Sequence, residues 1–167
     1  PGIDAAGIVE QSNDKNFPIG SSVIVTGFDL GMDTSGGFSE YIRVPSQWVV
    51  KCASNFSTKE AMMLGTAGMT VGLAILSMAD KLPLDKSKAV VSGATGGVGS
   101  IGVKLLSQLG ADVTAITGKM DKKSWLKELG ASKVLDRKRF IDSTNHPSNK
   151  GKYDIALDVV GGRILSS

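Results

Sequence analysis

Residues 89–110, AVVSGATGGVGSIGVKLLSQLG, leave few folds open to this chain. The apolar run 89–91 reads as a buried strand, and glycines follow at 93, 96, 97 and 99. Apolar residues then recur at Val98, Ile101, Leu105 and Leu109, the spacing of three and four that marks one face of a helix. Strand, glycine turn and helix together set a helix N-terminus where it can meet a phosphate. Glycine lets the backbone come close, and the unpaired N–H groups and helix dipole favour an anion. The expected ligand is a dinucleotide, with the backbone N–H groups of Thr95, Gly96, Gly97 and Val98 as donors to its pyrophosphate. Close packing of a helix on a sheet uses such glycines too, and Val98 also fits a core position.

The period after residue 88 is β-α-β-α-β. Expected strands at 112–117, 131–135 and 153–160 alternate with the helix after the turn and a second helix at 122–129, whose Trp125, Leu126 and Leu129 share a face. The polar residues 136–152 offer one helical turn at most. Such alternation predicts an α/β fold with a doubly wound parallel sheet of the Rossmann type, left incomplete after about four of six strands. Residues 1–55 have another texture. Short strands at 6–9, 22–26, 38–44 and 48–50, separated by turns and the polar loop 29–37, predict part of a small barrel or sandwich. At Ser57 a capping box, Ser57-x-x-Glu60, opens a helical stretch. Residues 61–80 are apolar nearly all round and therefore read as buried, with a break expected at Gly65-Thr66 and an end at Pro83. The expected division is residues 1–55 against residues 56–167.

Composition narrows the function classes. The 167 residues are 41% hydrophobic and 21% charged, as in a soluble globular protein, with a formal net charge of +3 and no basic stripe that would suit nucleic acid. The lysines of SNKGK read as solvated surface. A single cysteine, Cys52, excludes an internal disulfide and a multi-cysteine zinc site, and reads as a small apolar filler. No run is expected to reach the ~18 apolar residues of a membrane span. No signal peptide precedes Pro1, so the expected compartment is the cytoplasm. The chain opens on Pro1 rather than a methionine, inside what reads as a strand, so a fragment is expected.

Motifs along nearly the whole chain resemble the medium-chain dehydrogenase/reductases, and among them the zinc-independent quinone oxidoreductases of the YhdH/YhfP branch, which includes acrylyl-CoA reductases. PGIDAAGIV and GGFSEYIRVP are similar to the end of that family's GroES-like barrel domain. GTAGMTVG is similar to the helix lining the nicotinamide end of its cleft, and SGATGGVGS to its pyrophosphate turn. In zinc-dependent relatives the opening motif reads Gly-His-Glu, whereas here it is Gly2-Ile3-Asp4, and His146 lies in a surface-like loop. The resemblance therefore implies a site without metal. Alcohol oxidation then lacks a Lewis acid, while reduction of a conjugated C=C bond needs hydride placement and an electropositive site for the enolate.

The implied activity is NADPH-dependent reduction of an unsaturated acyl-CoA, an enone or a quinone. The resemblance also implies a homodimer for the full-length protein. Thr66 and Thr70, at i and i+4 on one helix face, are implied to line the nicotinamide end; bonding back to the helix backbone is the alternative. Val159 is a further cofactor candidate, because ligands gather at the carboxyl ends of parallel strands. Asp4 takes a structural role first. An Asn-Tyr-x-Asp segment and the later strands of the family fall outside residues 1–167, so these residues alone are expected to be inactive.

Cofactor choice turns on residues after the strand at 112–117. A site for NAD places an acid there to bond the ribose 2′-hydroxyl. This chain has Thr117-Gly118-Lys119, with no acid to repel a 2′-phosphate and a lysine to attract one, so NADPH is expected over NADH. Lys119 as a solvated loop lysine is the plainer reading, and Asp121 counts against the phosphate. Two other functions stay open at this point. GATGGVG also fits the GATGxxG turn of an atypical short-chain dehydrogenase, although that family puts it at the extreme N-terminus and usually carries Tyr-x-x-x-Lys. A protein that binds NADPH without turnover would share the same fold.

Overall fold

The computed structural model describes residues 1–143 and 151–166. The chain divides into two compact units, Pro1–Met69 and Thr70–Ser167. The boundary expected from sequence, at 55–56, lies just ahead of the helix in which the division falls.

The first unit carries a three-stranded antiparallel sheet in the order β1-β2-β3. Strand β1 (Asp4–Ile8) pairs with β2 (Ser22–Thr26), and β2 pairs with β3 (Val49–Lys51). The β-branched run of β2 suits a pleated, half-buried surface. The expected strand at 48–50 is divided between a 3-10 turn, Ser46–Trp48, and β3. Residues 38–44 form no strand, contrary to expectation. Their alternation marks no buried face, since Phe38 and Tyr41 are 82% and 74% exposed. The segment is instead tied at its start, where Gly37 and Phe38 donate to the carbonyls of Gly2 and Pro1.

Helix α1 (Thr58–Ala79) opens on the capping box: Ser57 N–H donates to Glu60 at 2.9 Å, and Glu60 N–H donates to the Ser57 hydroxyl at 3.2 Å. It is broken at Gly65, whose φ of 48° and ψ of −148° are not helical. The helix ends at Ala79, before Pro83 is reached. By length and composition this helix could cross a membrane, which corrects the expectation that no stretch is long enough. The break argues against that role. The part beyond it, about 14 residues at 1.5 Å each, is ~21 Å long against a hydrocarbon core of about 30 Å. Val71 and Ile75 are buried in the core of the second unit, but Met63, Leu73 and Leu76 are 61–65% exposed, so the helix is not buried on every side as expected.

The second unit is a four-stranded parallel sheet in the order β6-β5-β4-β7, formed by β4 (Lys88–Val91), β5 (Asp112–Thr117), β6 (Lys133–Asp136) and β7 (Ile155–Leu157). Helices α2 (Gly97–Gln108) and α3 (Lys123–Glu128) make the crossovers, and α4 (Arg137–Ser143) comes after β6. Numbered within this sheet the order is 3-2-1-4, so the chain reverses direction across the sheet between β4 and β7. Open α/β sheets bind ligands at the carboxyl ends of the strands beside such a reversal. The core is apolar and close-packed: Val91, Val103, Leu106, Val113 and Leu126 are fully buried. Each such side chain contributes about 1.5–3 kcal/mol by leaving water.

Strand β7 is shorter than the expected 153–160. Asp158 leaves the ladder because its carboxylate is engaged by Ser92 and Gly161. The polar segment after β6 forms α4 as far as Ser143, and residues 144–150, with His146, lie outside the described residues.

Candidate functional site

Beyond β4 the chain turns at Gly93, with φ of 56°. Any side chain there would be strained, and its Cβ would lie 2.7 Å from the Val159 side chain. Ala94, fully buried, donates its N–H to the Ile116 carbonyl, and Gly96 N–H closes the turn on the Gly93 carbonyl at 2.9 Å. Helix α2 starts at Gly97 behind Gly96, which has no side chain to cap it. Ser100 N–H finds the Gly96 carbonyl, but the N–H groups of Gly97, Val98 and Gly99 meet no acceptor among the described residues. Three open amides at the positive end of a 12-residue helix form an anion cradle. Gly99 and Gly102 hold the helix there. A Cβ on Gly99 would lie 2.3 Å from the Gly93 carbonyl oxygen, and one on Gly102 would lie 2.3 Å from Leu157.

Beside the cradle, β5 ends at Thr117, whose hydroxyl oxygen accepts from Lys119 N–H at 2.9 Å and lies 3.2 Å from the Thr95 hydroxyl. Lys119 is exposed, as the plainer reading had it. A residue that sequence reasoning missed stands next to it. The Arg137 guanidinium lies over Gly118, 3.4–3.5 Å from the position a Cβ would take. Neither Lys119 nor Arg137 forms an ion pair among the described residues, whereas Lys122 pairs with Asp121 at 3.7 Å. Only the register reveals it: β5 and β6 pair Thr117 with Asp136, so the residues just past each strand become neighbours.

At the end of β7, Ser92 donates to the Asp158 carboxylate and accepts from Val159 N–H at 3.0 Å. The same carboxylate takes Gly161 N–H at 2.8 Å. This network fixes Val159 against Gly93. Burial works to raise the Asp158 carboxyl, but the bonds from Ser92, Gly161 and Val160 outweigh it and hold the group below its ordinary value. The stability contributed by the charged form is therefore complete above an unfolded-state value of about 4 and is lost as the pH falls through that value to the lower folded one. Melting temperatures measured from pH 6 down to pH 3 are expected to fall further for the native protein than for Asp158→Asn. Parallel curves would show that this bond network carries no such linkage.

Within the first unit, the Asp4 carboxylate accepts from Thr66 N–H at 3.0 Å and from the Thr66 hydroxyl at 2.8 Å. Asp4 thus caps the part of α1 that restarts after the Gly65 break. Gly65 is required there, since a Cβ would meet the carboxylate at 2.6 Å. The Thr66 hydroxyl bonds Asp4, a partner that sequence reasoning did not foresee. Thr70, one turn on, is exposed. Cys52 is half-buried, with its thiol donating to the Phe56 carbonyl.

Zinc does not fit the Gly2-Ile3-Asp4 segment: isoleucine offers no ligand atom, and the Asp4 oxygens are taken by Thr66. Among the described residues no three His, Cys, Asp or Glu side chains group as metal ligands. Eight of the ten candidate cofactor residues, namely Thr95, Gly96, Gly97, Val98, Thr117, Gly118, Lys119 and Val159, lie at the carboxyl ends of β4, β5 and β7. Thr70 lies in the same unit on α1, and Thr66 belongs to the first unit.

A family model described as zinc-binding dehydrogenase matches residues 97–167. The Bacillus subtilis protein YhfP, solved with NAD bound, is 45% identical with a TM-score of 0.93, covering 99% of this chain and 51% of that one. The Salmonella enterica YhdH oxidoreductase, solved in complex with NADP, is 40% identical with a TM-score of 0.91 and the same coverage. The acrylyl-CoA reductase AcuI of Ruegeria pomeroyi is 35% identical over 167 residues, 99% of this chain and 51% of the relative. The chain belongs to the medium-chain dehydrogenase/reductase family, in the branch of YhfP and YhdH. Its fold is that family's Rossmann-type parallel sheet, here preceded by a three-stranded antiparallel sheet. It spans about half the length of the relatives it matches.

Proposed function

We propose that the full-length protein is an NADPH-dependent reductase of conjugated C=C bonds, of the acrylyl-CoA or enone type, or of quinones, working without zinc. The observation that carries this reading is the set of open amides on Gly97, Val98 and Gly99 beside Lys119 and Arg137, cations without an ion pair among the described residues. The amides hold the pyrophosphate, with Thr95 and Gly96 flanking them. Lys119 and Arg137 take the 2′-phosphate, with Thr117 and Gly118 shaping the strand end between them. Val159, fixed by Ser92 and Asp158, closes the site beside Gly93. Thr66 and Thr70 remain the nicotinamide candidates that the resemblance implies, and within the first unit Asp4 orients Thr66. When bound, the reduced nicotinamide supplies the hydride that adds to the electron-poor carbon.

Membership of the medium-chain family sets aside the short-chain alternative, which differs in where the glycine turn lies. The protein so proposed takes a small-molecule substrate and is a homodimer, as the resemblance implies; that it is cytoplasmic and has no nucleic-acid or membrane partner is read from its composition and sequence pattern. The test is oxidation of NADPH by the full-length protein, treated with a zinc chelator, against acrylyl-CoA, enones and quinones. Turnover of at least one class is expected. NADPH binding without turnover of any would leave a cofactor-binding protein in place of an enzyme, and activity lost on chelation would overturn the zinc-free site.

A further inference from the structure

Thr117 closes β5 and is 2% exposed. Its hydroxyl oxygen receives the Lys119 N–H at 2.9 Å, and the Thr95 hydroxyl lies 3.2 Å away. A hydroxyl has one proton to give and room to accept. Two directions are open for the Thr95–Thr117 bond, and burial decides between them. If Thr95 donated, Thr117 would accept twice, and its own proton would be buried without an acceptor among the described residues. Native structures avoid such groups. With Thr117 as donor, every group is satisfied except the proton of Thr95.

We infer that Thr117 is a positioning residue for the cofactor: by donating to Thr95 it reserves the Thr95 hydroxyl proton for a phosphate oxygen of the bound dinucleotide. The inference rests on the proposed cofactor site and adds a direction to it. The chain of bonds runs from Lys119 N–H through Thr117 and Thr95 to the ligand, and each bond polarises the next in the same sense. Thr95 is half-buried at the lip of the amide cradle, so its proton joins the open N–H groups of Gly97, Val98 and Gly99. Thr117 itself touches no ligand. Its hydroxyl does at the base of the site what a fixed backbone donor would do, and it ties the pyrophosphate turn to the loop carrying Lys119.

The test uses the full-length protein and dissociation constants for NADPH and NADH, with Thr117→Val, Thr95→Val, the double variant and Thr117→Ser. Thr117→Val and Thr95→Val are each expected to weaken both dinucleotides about tenfold, roughly one hydrogen bond to a charged group. The double variant is expected to be no worse than Thr95→Val, because Thr117 acts through Thr95. Thr117→Ser keeps the hydroxyl and is expected to restore affinity. Should Thr117→Val fail to fold, Thr117→Ala carries the same comparison, removing the hydroxyl without adding bulk. Additive losses, an unchanged affinity, or a loss confined to NADPH would each overturn the inference while leaving the cofactor site intact. A native protein that binds neither dinucleotide would overturn both.

Discussion

Replacing Gly99 with alanine is expected to raise the dissociation constant of the full-length protein for NADPH by about two orders of magnitude. The added Cβ would sit 2.3 Å from the Gly93 carbonyl oxygen and 2.8 Å from the Ala94 Cα. Both obstacles are backbone, so no side chain can swing aside. Either α2 retreats from the turn or the turn deforms, and in both cases the amides of Gly97 and Val98 lose their aim. Overpacking of this kind costs about 1–3 kcal/mol of stability, so a lower melting temperature should accompany the loss. Gly72→Ala is the control. Nothing lies within 4 Å of the Cβ it would gain, and alanine is the better helix former by about 1 kcal/mol. Titration calorimetry and thermal unfolding of the two variants decide the matter; native-like binding by Gly99→Ala would show that close approach of α2 to the turn is not what builds the site.

The second large effect is on cofactor choice. Arg137→Ala and Lys119→Ala are each expected to weaken NADPH binding about tenfold, the lower end of the 1.5–3 kcal/mol for a charge-assisted bond, since neither side chain is buried. NADH, without the 2′-phosphate, should change less than about twofold in either variant. The double replacement should bring the two constants together. If Arg137→Ala leaves the NADPH-to-NADH ratio unchanged, the guanidinium over Gly118 plays no part in recognition and Lys119 stands alone.

The parallel sheet, its glycine turn and the crossover helix were legible because each rests on local chemistry. The apolar run ending at Val91, the glycines and the period of α2 are all contained within residues 89–110. The break at Gly65 was legible for the same reason, a glycine in an otherwise continuous helical pattern. The features that escaped depend on register. Arg137 reaches the proposed site only because β6 lies beside β5 in parallel, with Thr117 opposite Asp136. Asp158 ends β7 early because Ser92, far back in the chain, engages it. The failed strand at 38–44 shows the converse: Phe38, Ile42 and Val44 fall on one face of a strand, yet Phe38 is exposed, because alternation records burial only where there is a layer to be buried against. Asp4 was assigned to structure, yet its partner Thr66 could not be named without the fold.

In the proposed site, Lys119 and the Arg137 guanidinium over Gly118 are expected to act before any contact is made. With no carboxylate neutralising Lys119 or Arg137 among the described residues, their field extends over roughly a Debye length, about 8 Å at physiological ionic strength. It is expected to draw the more highly charged cofactor toward the carboxyl edge of the sheet and to hasten encounter. Discrimination between the two nicotinamides is then expected to be partly a matter of arrival: added salt should slow the capture of NADPH, while its departure, governed by bonds already formed, should keep its pace.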